Sequence, residues 1–105
     1  MLAINRLAKV GADKANYRNS WQRCSLGMVH GQPVQIRSMY LVCAPWHQHR
    51  QSQEYFILLE GGCVLDFVDH SVALSPGQAF KINKGLWHRA RVTDFARMIV
   101  IGGAD

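Results

Sequence analysis

A chain of 105 residues, 49% hydrophobic and 18% charged, has the size of one domain and the balance of a folded chain rather than a disordered one. Its apolar runs fall short of the roughly 18 to 20 residues that cross a bilayer, and the opening Met1-Leu2-Ala3-Ile4-Asn5-Arg6 lacks the apolar core and small-residue cleavage site of a secretory leader, so a cytoplasmic location without membrane contact is expected. Twelve Lys and Arg against seven Asp and Glu make a formal charge of +5, but they are scattered singly, without a basic helix or an aromatic RNA-binding signature; a nucleic-acid partner is not expected, while a small anionic ligand fits the charge.

Residues 1–20 read as an N-terminal arm in which Ile4 to Val10 suits a short helix or an edge strand. From Trp21 onward, short runs rich in Val, Ile, Leu, Phe and Tyr alternate with turn signals at the spacing of an antiparallel all-β domain. The strands predicted are 21–29, 34–44, 53–60, 63–68, 72–74, 78–82, 87–92 and 95–101. Turns fall at Val29 to Pro33, Gly61-Gly62, Asp69 to Ser71, Ser75-Pro76-Gly77 and Asn83-Lys84-Gly85. Tyr55 to Leu59 and Met98 to Ile101 are apolar on both faces, which requires cover on both sides; a second copy of the chain is the expected cover, making a homodimer. Cys24, Cys43 and Cys63 are an odd number without a C-x-x-C pair and read as small buried hydrophobes on strands.

Chemistry concentrates in Trp46-His47-Gln48-His49-Arg50-Gln51-Ser52-Gln53-Glu54. On an extended chain His47 and His49 point to the same side. Glu54 opens a strand whose inward parity continues with Phe56 and Leu58, and a buried carboxylate needs a cation or a hydrogen-bond partner. His88 follows the Asn83-Lys84-Gly85 turn, where strand pairing can return it to the same end of the domain. Imidazole and carboxylate together suit a divalent ion such as Zn, Fe, Mn or Ni, so His47, His49, Glu54 and His88 are the candidate ligands. Trp46 and Trp87 precede ligand histidines and fall on the opposite face, as packing or dimer-interface residues. His30 and His70 lie in turns without a ligand-spaced neighbour.

These residues resemble the two motifs of the cupin superfamily. In the first, G(X)5HXH(X)3,4E(X)6G, the matches are His47, His49, Glu54 and Gly61. In the second, G(X)5PXG(X)2H(X)3N, they are Gly77, Gly85 and His88. Leu41, Asn83 and Val92 depart from the motifs at positions that are not ligands. The likeness covers roughly residues 20–101. In W-H-x-H, the 54–61 strand and the S-P-G…G-x-x-H-R block it is similar to small single-domain cupins that resemble the metal-binding domain of mannose-6-phosphate isomerase. The resemblance implies a single cupin domain over 1–105 with a barrel over 21–101: a double-stranded β-helix, jelly-roll-like, of two antiparallel sheets. It implies a bound metal and names no substrate.

Strand parity places Met39 and Leu41, Phe56 and Leu58, and Phe80 and Ile82 around the metal as an apolar substrate pocket, with Arg37 either directed into it as an anion-binding group or reaching solvent. Four ligands leave one or two positions open on an ion that prefers five or six. One reading is a metal-dependent isomerase, lyase or dioxygenase acting on a sugar or keto acid, in which Glu54 can also leave the metal and serve as a catalytic base. The others are a non-catalytic small-molecule or metal-binding module and a metal that only pins the fold.

Overall fold

The computed structural model describes residues 20–103, and all of their regular structure is β. Seven strands follow in chain order: β1 (Ser20–Val29), β2 (Gln32–Cys43), β3 (Glu54–Gly61), β4 (Cys63–Phe67), β5 (Ser71–Leu74), β6 (Ala79–Ile82) and β7 (His88–Gly102). The predicted helix or edge strand near Ile4 to Val10 lies outside the described residues. Among the described residues no helix is long and apolar enough to cross a membrane.

The local chemistry of the turns sets most strand boundaries. His30 and Gly31 both take positive φ, 50° and 77°, the two-residue hairpin turn whose twist matches the flanking strands of β1 and β2. At Gly61 φ is 83°, and a Cβ there would fall on the carbonyl of Phe95, so the β3–β4 corner accepts only glycine.

The expected barrel of two antiparallel sheets is corrected by the strand pairing. All seven strands belong to one hydrogen-bonded sheet with the path β1-β2-β7-β3-β6; β4 joins it through β7, β5 through β4, and the path does not close. The cause is β7. The two strands predicted at 87–92 and 95–101 are one strand, because Thr93 and Asp94 form a bulge rather than a turn: β2 pairs Tyr40 with Phe95 and Val42 with Val92, leaving one residue of β2 against two of β7. The first part of β7 pairs with β4 and the last part with β3, while β2 runs along both. One long strand with a bulge thus carries the pairings with β2, β3 and β4 in a single sheet.

The core lies on one face of this sheet, where Met39, Phe56, Leu58, Leu65, Ile82, Met98 and Val100 are buried. In β3 the alternation is the expected one, with Glu54, Phe56 and Leu58 buried and Leu59 exposed. Cys63 joins the core, where burial pushes its thiol up to about 11, but Cys24 is half-buried and Cys43 exposed. The latter two correct the expectation of buried cysteines: β1 is an edge strand, and Cys43 closes β2 on its exposed parity.

Leu41, at the motif's glycine position, sits opposite the bulge with φ 50° and is 45% exposed. A left-handed conformation costs a branched residue roughly 1–2 kcal/mol, whereas glycine in a strand loses about 0.5–1 kcal/mol. Leu41→Gly is therefore expected to leave stability unchanged or raise it by up to about 1 kcal/mol in urea denaturation, while glycine at Val100 should lose several; a loss above about 1 kcal/mol at Leu41 would contradict this reading.

Candidate metal centre

Backbone hydrogen bonds bring the two histidine segments together. His47 and His88 form an isolated antiparallel bridge, donating N–H to each other's carbonyl at 3.0 and 2.9 Å. Ala44 N–H donates to the Ala90 carbonyl at 2.9 Å, and Gly85 N–H to the His49 carbonyl at 2.7 Å. The Gln48 side chain closes this lattice by donating to the Gly85 carbonyl at 3.1 Å. The Asn83-Lys84-Gly85 turn is thereby pinned against the loop that carries His47 and His49. Glu54 enters from β3, held between Ile82 of β6 and Gly102 of β7.

The result is one cluster: a ligand atom from each of His47, His49, Glu54 and His88 lies within 4.8 Å of all the others. Glu54 and His88 are 3% and 1% exposed, and His47 and His49 are half-buried. Glu54 Oε1 stands 3.1 Å from His88 Nε2, and Oε2 stands 3.5 Å from His49 Nε2. Gly103 is packed so closely here that a Cβ on it would fall on the Glu54 carboxylate, with His49 Nε2 only 3.1 Å away.

Two imidazoles have a defined tautomer. His47 Nδ1 lies 3.0 Å from the Pro45 carbonyl and His88 Nδ1 lies 2.9 Å from the Leu86 carbonyl. A carbonyl oxygen only accepts, so Nδ1 carries the proton in each ring and the Nε2 lone pair of the neutral ring points into the cluster. Burial, more than anything else, pushes His47 below its ordinary pKa, with His88 and His49 adding to it and the Pro45 hydrogen bond opposing it. The neutral ring is the form that binds a metal. In that form His88 Nε2 and Glu54 Oε1 are two acceptors at hydrogen-bond distance, an arrangement that a cation between them satisfies. The donor set thus fits a divalent metal, with the Pro45 and Leu86 carbonyls orienting the rings from behind.

Beside the cluster is a cavity of about 280 Å³ whose lining includes His47, His49, Glu54, Arg37, Arg23 and Trp21. Of the residues expected to form the pocket, Arg37 is in this lining; Met39, Phe56, Leu58 and Ile82 are in the core, Phe80 is half-buried against it, and Leu41 is exposed. Trp21, Arg23 and Gly103 were not singled out by sequence. Trp46 and Trp87 lie away from the cavity and line a separate apolar hollow with Val68.

Next to His88, Asp66 anchors the β4 and β7 pair. It is 5% exposed and accepts hydrogen bonds from Arg91 Nε and Nη2 at 3.0 and 3.1 Å, Arg89 Nε at 2.9 Å and Ser71 Oγ at 2.7 Å. Trp46 covers the Arg89 guanidinium at 4.8 Å. These bonds, that from Arg91 foremost, hold the Asp66 carboxyl well below the usual carboxylate range against the opposing effect of burial.

The family model described as Cupin domain matches residues 43–102, which contain every residue of the cluster. A curated relative, the uncharacterized protein YdbB of Bacillus subtilis (strain 168), is 45% identical over 47 residues; the match spans 44% of this chain and only 42% of that protein. Among solved structures, a cupin-2 domain containing protein from Shewanella frigidimarina NCIMB 400 superposes with a TM-score of 0.74 at 19% identity, covering 90% of this chain and 96% of that one. Protein NMB1881 from Neisseria meningitidis superposes at 0.71 with 24% identity, covering 83% and 88%. At these identities the two structures establish the fold.

Because the folded pKa of Asp66 is depressed, its contribution to stability is present in full above the unfolded value of about 4 and is lost as pH falls toward the folded value. Asp66→Asn is expected to cost about 2 kcal/mol at pH 7 and to lose less stability than the wild type between pH 7 and pH 3. Urea denaturation at the two pH values measures both; equal pH slopes would remove Asp66 as a source of acid sensitivity.

Proposed function

This chain belongs to the cupin domain family, and we propose that it is a metal-dependent member in which His47, His49, Glu54 and His88 hold one divalent ion facing a small oxygen-rich substrate such as a sugar or keto acid. The observation that carries this reading is the pairing of Glu54 and His88, both almost fully buried, with the His88 Nε2 lone pair directed at the carboxylate. A bound Zn, Fe, Mn or Ni ion supplies Lewis-acid polarisation of a substrate oxygen. The three imidazoles and Glu54 would hold such an ion, and the cavity lined by His47, His49 and Glu54 would give a substrate access to it. Glu54, with an oxygen toward each of two histidines, is also the one carboxylate in the described cavity lining that can accept a substrate proton, as isomerase or lyase chemistry requires. The similarity to the mannose-6-phosphate isomerase metal-binding domain rests on short sequence blocks and adds no substrate to this reading.

Elemental analysis of protein purified without a metal-affinity step tests the proposal, with about one divalent ion per chain expected. His49→Ala and His88→Ala should each weaken metal binding by well over tenfold, since loss of even an orienting partner behind a ligand costs about 10–100-fold. Wild-type protein that takes up no divalent ion at millimolar concentration would overturn it. Displacement of metal-bound water by small keto acids or sugars, without turnover, would favour a binding module over an enzyme.

We also propose a homodimer. The face of β2, β7 and β3 opposite the core carries the cross-strand row Val34–Ile101–Tyr55 and the pair Ile99–Ile57, all half-buried, an apolar strip suited to a second copy. Light scattering during size exclusion should give about twice the mass of the chain at micromolar concentration; a monomer alone would reject this.

A further inference from the structure

We infer that the cavity wall facing the cluster is an anion cradle in which Arg37, with Arg23 at the rim and Trp21 as platform, seats a carboxylate, so that the ligands of this protein are short carboxylic acids rather than neutral sugars. The inference deepens the metal-dependent reading and rests on it for the position of the rest of the substrate.

Arg37 is only 7% exposed, and a guanidinium does not discharge itself by losing a proton, so burial leaves a positive charge that has to be matched. It is poorly matched. Among the described residues its Nε has no hydrogen-bond partner, and the one hydrogen bond it makes is donated by Nη2 to Gln35 Oε1 at the long distance of 3.5 Å. Glu54 lines the same cavity and attracts Arg37 across it, but its oxygens face His88 and His49, and it makes no ion pair with Arg37.

A second positive charge is placed against the first. In the β1–β2 ladder Arg23 is directly opposite Arg37, a pairing of like charges that destabilises a sheet unless something intervenes. Trp21 intervenes in part: both guanidinium carbons lie over its ring, at 5.0 and 5.2 Å, and the Arg37 carbon is also 5.9 Å from the centre of the Phe56 ring. Aromatic faces take up the flat sides of a guanidinium and leave its edge of donors, the part that matches a planar carboxylate in two parallel hydrogen bonds. The molecule shows this match internally, where Arg91 holds Asp66 through Nε and Nη2. With a volume of about 280 Å³, the cavity suits an acid of a few carbons whose carboxylate meets Arg37 while a neighbouring hydroxyl or keto oxygen reaches the side lined by His47 and His49.

The test is titration of the full chain, metal-free and metal-loaded, with pyruvate, glycolate, glucose and inorganic phosphate, read by calorimetry and by tryptophan fluorescence. Both carboxylates are expected to bind metal-free protein and to bind more tightly when metal is present. Arg37→Met should weaken them by at least about tenfold while retaining the metal content of the wild type. Arg37→Lys should keep part of the affinity, and Arg23→Gln, at the exposed rim and harmless to folding, should lose about threefold. Carboxylate affinity unchanged in Arg37→Lys and Arg23→Gln, glucose binding as tight as pyruvate, phosphate binding tighter than either acid, or no carboxylate binding at all would each overturn the cradle. Metal-free protein that binds pyruvate through Arg37 yet takes up no ion would refute the metal reading and leave the cradle standing.

Discussion

A carboxylate withdrawn from water has to meet positive charge or hydrogen-bond donors, and Glu54 imposes that condition at the head of β3. It is 3% exposed, lies between β6 and β7, and has Gly103 packed against its oxygens, with the cavity on its remaining side. What faces it is three imidazoles, two of which have given their Nδ1 protons to backbone carbonyls. The arrangement sets a carboxylate against the lone pairs of two imidazoles, with a third imidazole beside them. A sheet whose strands merely packed well would have no reason to assemble it.

Three distant parts of the chain reach that point because β7 is continuous. Its first residue, His88, is bridged to His47, its middle rides along β2, and its end brings Gly102 beside Glu54. The same strand gathers the pairings with β2, β3 and β4 into one sheet. Position of the ligands and departure from a two-sheet barrel therefore have one cause. Asp66 holds the β4 side of this strand by tying Arg89 and Arg91, immediately after His88, to β4.

Much of this was legible in the residues. Turn chemistry at His30-Gly31, Gly61 and Asn83-Lys84-Gly85 located most strand ends within one or two positions, and the period of two assigned Glu54, Phe56 and Leu58 to the buried face. The cluster followed from ligand spacing, because H-x-H on extended chain leaves little freedom. Bulges were not legible. Thr93-Asp94 has the polar composition of a turn, and only pairing with β2 distinguishes a bulge from a chain reversal. The β1–β2 hairpin shows the consequence for function: counted out from its turn without interruption, Arg23 would lie opposite Ser38, but the register shifts by one between Ser25 and Gly27 and sets it opposite Arg37. A single inserted residue moves Trp21 and Arg23 to the cavity face, and periodicity carries no trace of it.

The two arginine clusters of the molecule then differ in one respect that matters. Arg89 and Arg91 face an internal carboxylate that satisfies them, and they act as a clamp on the fold. Arg37 is about as deeply buried as that carboxylate and stands opposite another arginine; among the described residues it has one long hydrogen bond to Gln35, aromatic faces, and Glu54 across the cavity without an ion pair. Among the described residues the first pair has a carboxylate in direct contact and the second does not. A buried cation without its counter-ion is destabilising in the free protein, and a ligand that brings the counter-ion recovers that energy on binding. Selectivity for a carboxylate over a neutral sugar then follows from the cost of leaving Arg37 unmatched, the same principle by which a site built around a polar group rejects a ligand that lacks the partner.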